Sequence, residues 1–338
     1  MTCSIRFIQP FARYLRATGH DVEAWLGPHG LSAAHLVERE LRISQGEASA
    51  LVREAVALTG DAALGMRAAR CVGPGDFDVV EYAAASCATA GEAMRLAARF
   101  IALMHEGISM QLDVEPPLAA LRVRVLHGAE QVPASIELVF ASLLEYGSRS
   151  LGHRTRPLRV ELAHAGPADA GIYQEIFREV RFGAPEHVMW VKAAALDLPH
   201  CAPDRSLVQI LTSHADGLLQ QLERRPRRFA ERARAAIIRD LSAGSVAAEH
   251  IARRLAVSLR TFYRRLAEEG TTHGELVDDV RRTEAMQHLA AGSFSIAEIS
   301  FLLGFAHPNA FHKAFKRWTG RTPAHFRGDA LARWAVSR

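Results

Sequence analysis

The chain has 338 residues, of which 49% are hydrophobic, and it carries 41 lysine and arginine residues against 37 aspartate and glutamate residues. This length predicts two domains, each long enough to bury a core of its own. The sequence has no run of about 18 apolar residues and no secretory leader pattern, so we expect neither a membrane-spanning nor an exported protein and predict a cytoplasmic location.

Charge is divided unevenly along the chain. Residues 224–338 contain 21 basic and 11 acidic residues, a net charge of +10, which leaves 20 basic and 26 acidic residues, a net charge of −6, in residues 1–223. Such asymmetry predicts that the C-terminal part binds a polyanion. The four cysteines are scattered and form no CxxC pair, as in a reduced intracellular protein.

Residues 1–223 alternate between helix and strand patterns. Helices are predicted in the first 70 residues, followed by a strongly apolar helix that Thr89 caps. Two strands come next as a hairpin, SMQLDVE and LAALRVRVLH; then a helix after Pro133, the strand PLRVELAH, a helix around AGIYQEIFREV, and the strands VRFG and HVMWVKA. This order predicts a mixed α/β domain with a sheet covered by helices.

A helix with one apolar stripe ends this domain. Its stripe consists of Leu207, Leu211, Leu218 and Leu222, with His214 on the same side. Two interpretations remain open: the stripe packs on its own domain, or it pairs with its twin in a homodimer. The basic, proline-broken stretch ERRPRRFAER follows as a linker, and from residue 231 to the end the pattern is helical throughout.

The helical C-terminal part contains a repeat. Residues 251–266, IARRLAVSLRTFYRRL, align with residues 299–315, ISFLLGFAHPNAFHKAF, and Ala256 falls on Gly304. Each copy is a short helix, a tight turn that begins at a small residue, and a second helix, which predicts helix-turn-helix motifs at about 246–266 and 295–318. The helix ELVDDVRRTEAMQHLAAG between them predicts a rigid connector.

Helical geometry separates an inward face from an outward face in both second helices. At about 100° per residue, Phe262 and Leu266, and likewise Phe311 and Phe315, point into a core. The outward residues are Arg260 and Arg264 in the first copy and Asn309 and Lys313 in the second, side chains that can hydrogen-bond to guanine or adenine, and Tyr263 and His312 lie beside them. Three more residues are predicted to contact phosphate or flank the site: Ser258, which also N-caps its helix, Thr261 and Arg317.

The stretches RTFYRRLAEEGTTHGELVDDVR and SIAEISFLLGFAHPNAFHKAFKRWTGRTPAHFR strongly resemble the DNA-binding domain of the AraC/XylS family of bacterial transcription regulators. The resemblance covers about the last hundred residues and implies that Arg260, Tyr263 and Arg264 in the first motif, and Asn309, His312 and Lys313 in the second, read bases. It also implies double-stranded DNA and RNA polymerase as partners. Ser300 stands where the family usually carries alanine.

The N-terminal part resembles the effector and dimerisation domain of one AraC subgroup, which includes ornithine-utilisation and virulence regulators. The residues that carry this resemblance are GDFDVVEYAAASCATAGEAMRLAARF, FGAPEHVMWVKAAALDLPH and HADGLLQQL. It implies a small-molecule effector. We expect the apolar helix at 90–105 and the facing strands to form the walls of its pocket, with Arg122, Arg124 or His127 as candidate polar anchors.

Motifs for other chemistry do not occur in the sequence. It has no GxGxxG or P-loop, no GxSxG, no HExxH, and no pair of histidines or cysteines at metal-ligand spacing. We therefore predict no cofactor, no bound metal and no enzymatic activity. Two alternatives to an effector-controlled regulator remain: an architectural DNA-binding protein without effector, and an enzyme domain fused to a DNA-binding module.

Overall fold

The computed structural model describes residues 1–126, 132–167, 169–224, 229–242, 245–291 and 294–328. The chain forms two compact units, Met1–Arg224 and Arg225–Arg338. The first contains helices and sheets, and in its described residues the second contains helices alone, which confirms the predicted fold class, an α+β chain. Among the residues described, no helix combines the length and apolarity needed to cross a membrane.

The N-terminal unit contains nine α-helices in its described residues. They are α1 (Gln9–Ala17), α2 (Val22–Leu26), α3 (Gln45–Thr59), α4 (Leu64–Ala69), α5 (Asp78–Ala85), α6 (Ala90–Met104), α7 (Pro133–Leu151), α8 (Gly171–Phe177) and α9 (Arg205–Arg224). The side chain of Thr89 accepts a hydrogen bond from the Glu92 N–H, so the predicted cap of α6 is confirmed. Helix α5 was not predicted, because it directly follows the glycine-rich turn and is short.

Two sheets belong to the same unit. A small antiparallel pair joins β1 (Thr2–Ser4) to β2 (Arg42–Ser44), two strands that the helical pattern around them concealed. The main sheet has the order β3-β4-β7-β5-β6, built from β3 (Ile108–Glu115), β4 (Leu118–Val125), β5 (Arg159–Leu162), β6 (Val180–Phe182) and β7 (His187–Lys192). Strands β3 and β4 form the predicted hairpin, and β6 pairs with β5 in parallel.

The main core of this unit lies between the sheet and the helices around it, with Phe7, Phe11, Phe140 and Phe177 almost fully buried. A second apolar cluster joins α5, α6 and α9. Strand side chains alternate between the two faces of a sheet. On β4, Leu121 and Val123 are therefore buried while Arg122 and Arg124 lie on the other face.

The C-terminal unit contains α10 (Phe229–Asp240), α11 (Ala248–Arg254), α12 (Leu259–Glu268), α13 (His273–Ala291), α14 (Ile296–Leu302) and α15 (Pro308–Thr319), and residues 323–328 are also helical. Helix α15 stops at Gly320, whose φ of +74° is left-handed, a conformation that glycine adopts readily. The predicted connector is the 19-residue helix α13. Part of the predicted linker, residues 225–228, lies outside the described residues.

Candidate DNA-binding surface and effector cavity

The two helix-turn-helix motifs are α11 with α12 and α14 with α15. Phe262 and Leu266 of α12, and Phe311 and Phe315 of α15, are 0% exposed and belong to one core. The rings of Phe311 and Phe315 meet edge to face with centroids 5.7 Å apart. The predicted inward faces of both helices are confirmed.

On α12, the outward side chains are Arg260, Tyr263 and Arg264, all exposed. Arg264 Nη1 donates to Glu268 Oε1 at 2.6 Å, and both side chains are more than half exposed. An exposed ion pair of this kind contributes at most about 1 kcal/mol, so a base edge or a phosphate can displace Glu268 at little cost. The ion pair with Glu268 therefore leaves Arg264 available to bind DNA.

On α15, Asn309 and Lys313 are exposed and His312 is half-buried. Arg317 Nη2 donates to Asp278 Oδ2 at 2.5 Å, which ties α15 to the connector helix α13. Like the pair on α12, this pair is mostly exposed. The side chains proposed to read bases thus share the solvent face of each second helix, opposite the phenylalanines.

Ser258 caps α12 as predicted. Its hydroxyl oxygen accepts a hydrogen bond from the Thr261 N–H at 3.2 Å, and the hydroxyl donates to Thr261 Oγ1 at 2.9 Å. The exposed N-terminus of a helix carries unsatisfied N–H groups and a partial positive charge, which suits a DNA phosphate. A phosphate contact by Ser258 and Thr261 remains a prediction.

The turns of the two motifs are alike in shape and unlike in residue. Ala256 has φ +55° and Gly304 has φ +70°, so both occupy the left-handed region at the point where the first helix stops. Glycine adopts that region without the steric cost that the Cβ of alanine incurs. The aligned small residues are confirmed as the start of both turns.

Sequence reasoning missed the two side chains that anchor these motifs. Asp240 Oδ2 on α10 accepts from Arg254 Nε at 2.6 Å and pairs with His250 Nε2 at 2.9 Å, both on α11. Burial raises the pKa of Asp240, but the hydrogen bonds from His250 and Arg254 outweigh it and hold that pKa below its ordinary value. Asp240 lies outside the repeat, where no pattern marked it.

The second anchor is Arg281 on α13. Its Nε donates to the Leu303 carbonyl at 2.9 Å and its Nη2 to the Gly304 carbonyl at 3.1 Å, and the guanidinium lies 4.5 Å from the centre of the Phe305 ring. Burial lowers the pKa of Arg281. The connector helix therefore holds the backbone of the second turn directly.

A cavity of about 310 Å³ lies within the N-terminal unit. Its walls are mainly apolar: Ala93, Met94, Ala97 and Ile101 of α6, Met110 of β3 and Val191 of β7 all line it, together with side chains of α5 and α7. The expected walls, the helix at 90–105 and facing strands, are therefore found. The volume is about twice that of an engineered cavity that holds benzene.

Two buried polar atoms in the cavity wall have no partner in the described part of the chain. They are Ser142 Oγ on α7 and His200 Nδ1, in residues that are 3% and 6% exposed. By contrast, Glu81 accepts from the N–H groups of Gly75 and Phe77, and the Tyr146 hydroxyl donates to the Gly73 carbonyl. Burial is the main cause that raises the pKa of the Tyr146 hydroxyl, and the neighbouring Glu81 carboxylate raises it further. An unpaired buried polar atom is costly, so Ser142 and His200 mark where a ligand would hydrogen-bond.

The candidate anchors on β4 do not line this cavity. Arg122 Nε donates to Asp113 at 2.8 Å and its Nη1 to Glu186 at 2.6 Å, while Arg124 lies 3.6 Å from Glu186. Both arginines lie on the sheet face opposite the cavity because strand side chains alternate. The expectation that they anchor a ligand there is wrong for this cavity, and His127 lies outside the described residues.

Most of the apolar stripe of α9 packs within the N-terminal unit. Leu211, Leu218 and Leu222 are half-buried and pack on the cluster formed with α5 and α6. Of the two interpretations left open, packing on the chain's own domain therefore holds for these three leucines. Leu207 and the neighbouring Ile210 are 39% and 64% exposed, and His214 is exposed as well.

A cavity-bearing α/β unit joined to a unit with two helix-turn-helix motifs defines the class, a DNA-binding transcription regulator. Residues 19–200 match the family model described as the arabinose-binding domain of AraC transcription regulators, and residues 251–329 match a helix-turn-helix domain. The first match spans more than half of the chain. The chain belongs to the AraC family of transcription regulators.

Several known proteins resemble the chain. The ornithine utilization regulator of Pseudomonas aeruginosa is 28% identical over 293 residues, which are 85% of this chain and 84% of the relative. The regulator VirS of Mycobacterium tuberculosis is 37% identical over 87 residues, 26% of each chain. The crystal structure of the regulator CdpR from P. aeruginosa covers 90% of this chain and 95% of its own, with 21% identity and a TM-score of 0.43.

Proposed function

We propose that this protein regulates transcription in the cytoplasm in response to a small molecule bound in the N-terminal cavity, and that it acts without catalysis. The observation that supports an effector is the apolar cavity with two unpartnered polar atoms in its wall, Ser142 Oγ and His200 Nδ1. An architectural DNA-binding protein needs no such space. The names of the relatives, all regulators, support a role in transcription. Contact with RNA polymerase is proposed as part of that role.

The effector is tested by occupying the cavity. Ala97→Phe fills it from α6, whereas Arg95→Phe places the same ring on an exposed side of that helix as a control. A metabolite screen by thermal shift on the full chain identifies compounds, and DNA titration with each one follows. Expected is a compound that alters DNA affinity in the wild type and Arg95→Phe but not in Ala97→Phe. A tenfold change in DNA affinity needs about 1.4 kcal/mol of differential binding.

A compound that stabilises the protein without altering DNA affinity or transcription would be a bystander. Should every stabilising compound act equally on Ala97→Phe, the cavity is not the effector site. The architectural alternative would then gain support.

The base-reading residues are proposed as Arg260, Tyr263 and Arg264 in the first motif and Asn309, His312 and Lys313 in the second. Five of these side chains are exposed and His312 is half-buried, whereas the phenylalanines of the same helices are fully buried, which supports this assignment. Arginine and lysine donate to guanine N7 and O6, and asparagine pairs with adenine in the major groove. Arg317, Ser258 and Thr261 are proposed to contact phosphate or to flank the site.

The DNA test uses a site selected from a random library by the wild-type protein. Arg264→Ala and Lys313→Ala should each weaken binding to it by about 1–3 kcal/mol and relax base preference locally. Arg232→Ala on α10, which removes an exposed charge outside both second helices, serves as the matched control. It should leave base preference intact. Unchanged preference in both recognition-helix variants would refute the assignment.

A homodimer is proposed through the exposed end of α9. Because Leu211, Leu218 and Leu222 already pack within the chain, Leu207 and Ile210 are the side chains left for a partner helix. Leu207→Glu with Ile210→Glu should give monomers in sedimentation, while Gln209→Glu on an exposed site of the same helix should not. A wild-type protein that sediments as a monomer at micromolar concentration would contradict the dimer.

A further inference from the structure

Three cations meet at one end of the main sheet, beside the cavity. Strand β7 is antiparallel to β5, and β5 is parallel to β6, so Lys192 at the end of β7, Arg156 before β5 and Arg178 before β6 lie at the same sheet end. The register places Leu162 opposite Phe182 and Arg159 opposite Trp190. All three residues are exposed and belong to the cavity lining; Lys192 alternates with Val191, whose side chain faces the cavity, and borders the cavity at the end of β7.

None of these three side chains forms an ion pair with a carboxylate in the described ranges. The acids carried by α8, the turn before β6 and β5 are already paired: Glu175 with Arg70, Glu179 with Arg181, and Glu161 with Arg159. Within the cavity itself, Glu81 is held by two backbone N–H groups. The sheet end therefore presents positive charge that no ion pair among the described residues neutralises, although Glu175, itself bound to Arg70, also attracts Arg156 through space.

The backbone at Arg178 is held in a rare conformation. Its φ of +58° and ψ of −62°, with the Glu179 N–H bonded to the Phe177 carbonyl, form a three-residue γ-turn. A side chain with a Cβ occupies this region only at a cost. Together with the cavity and the unpartnered Ser142 and His200, this turn belongs to a site that holds a cation where a ligand would enter.

We propose that the ligand of this cavity is an organic acid with one anionic group at Arg156, Arg178 and Lys192 and an apolar body along α6. This inference rests on the proposed effector function and deepens it. The cavity has room for an apolar body on the order of a dozen non-hydrogen atoms, scaled from a cavity that holds benzene. An ammonium group in place of the anion would meet three like charges.

The test compares three probes of matched size on the full-length protein by calorimetric titration: 4-phenylbutyrate, 4-phenylbutan-1-ol and 4-phenylbutylamine. Exposed ion pairs each contribute about a twofold to fivefold effect, so three cations should favour the acid over the alcohol by about tenfold or more. The amine should bind more weakly than the alcohol. Added salt should weaken binding of the acid and leave binding of the alcohol unchanged.

Variants assign the effect to the three side chains. Arg156→Met, Arg178→Met and Lys192→Met each remove a charge and retain an apolar stem, and each should lower affinity for the acid about twofold to fivefold without changing affinity for the alcohol. Arg154→Met is the matched control, because Arg154 is exposed in the same loop and does not line the cavity. It should bind all three probes like the wild type.

The outcomes separate this inference from the effector proposal. If the acid and the alcohol bind equally, and none of the three variants lowers affinity for the acid, the proposal of an anionic ligand is wrong. The proposal of an effector in the cavity would then remain. If no probe binds and Ala97→Phe leaves every hit of the metabolite screen unaffected, the cavity proposal itself fails. Tighter binding of the amine than of the acid would also overturn the assignment of the sheet end.

Discussion

The two helix-turn-helix motifs are copies of one pattern, yet they are attached to their unit by different interactions. The first is held through side chains, with Asp240 on α10 bound to Arg254 and His250 of α11. The second is held through its backbone, with Arg281 on α13 bound to the carbonyls of Leu303 and Gly304. The repeated motif therefore keeps the same packing face in both copies while its anchors differ, because the anchoring residues lie outside the repeat.

The largest expected effect concerns what the copies share. Phe262→Ala and Phe311→Ala should each lower the free energy of unfolding of the C-terminal unit by about 3–5 kcal/mol, because both rings are 0% exposed and leave cavities. Phe301→Ala on α14 is the control, since that ring is 58% exposed and should cost no more than about 0.5 kcal/mol. Calorimetry of the full chain measures all three. A cost for one buried ring near that of Phe301 would break the equivalence of the two copies.

The next effect separates the copies at the second anchor. Arg281→Met keeps an apolar stem but leaves two turn carbonyls without their donor, and should cost about 2 kcal/mol. The neighbouring Arg282→Met removes a surface ion pair with Asp279 and should cost less than about 1 kcal/mol. DNA binding by the second motif should weaken in Arg281→Met as α15 loses its orientation. Equal stability of the two variants would show that the guanidinium is not an anchor.

Substitutions at the two turn residues, Gly304 and Ala256, should change the free energy of unfolding in opposite directions. Gly304→Ala places a Cβ in the left-handed region and should destabilise the unit by about 1 kcal/mol. Ala256→Gly relieves the same cost in the first motif, partly offset by a more flexible unfolded chain, and should stabilise it by no more than about 1 kcal/mol. Thermal unfolding of both variants provides the measurement. Destabilisation in both would mean that Ala256 contributes packing that outweighs its backbone strain.

The smallest effect is the acid sensitivity of the first anchor. The pKa of Asp240 is held below its ordinary value, so its contribution is present above that ordinary value and is lost as the pH falls through the pKa of the folded state. Asp240→Asn should cost about 0.5–1 kcal/mol at neutral pH, because Arg254 and His250 are each more than one-third exposed. The difference between wild type and Asp240→Asn should shrink in acid, measured by unfolding at a series of pH values. A constant difference would exclude Asp240 as the titrating anchor.

Local pattern predicted most of the C-terminal unit. The repeat, the inward phenylalanines and the cap Ser258 all follow from helical periodicity and capping rules, and the structure confirms them. The roles of the outward residues in reading bases stay predictions. In the N-terminal unit, the pattern predicted the β3–β4 hairpin and the cap of α6 but missed the short elements β1, β2 and α5.

The ligand anchors predicted from the sequence were wrong, because proximity along the chain does not show which face of the sheet a side chain occupies. Arg122 and Arg124 are conspicuous on a strand that borders the expected pocket, but alternation places them on the opposite face. Lys192 could have been noticed, since it is the sole lysine before residue 224. Arg156, Arg178, Ser142 and His200 carried no signal, because they come from separate segments.

The two-part organisation, the helix-turn-helix repeat and the buried helix faces can be read from the amino-acid sequence, because periodicity and caps depend on residues a few positions apart. The packing of α9, the side chains that anchor each motif and the cations beside the cavity emerge only in the folded chain. Those depend on strand pairing and on contacts between residues tens of positions apart. The β5–β6–β7 pairing, for example, brings Arg156, Arg178 and Lys192 to one sheet end although 36 positions separate the first from the last.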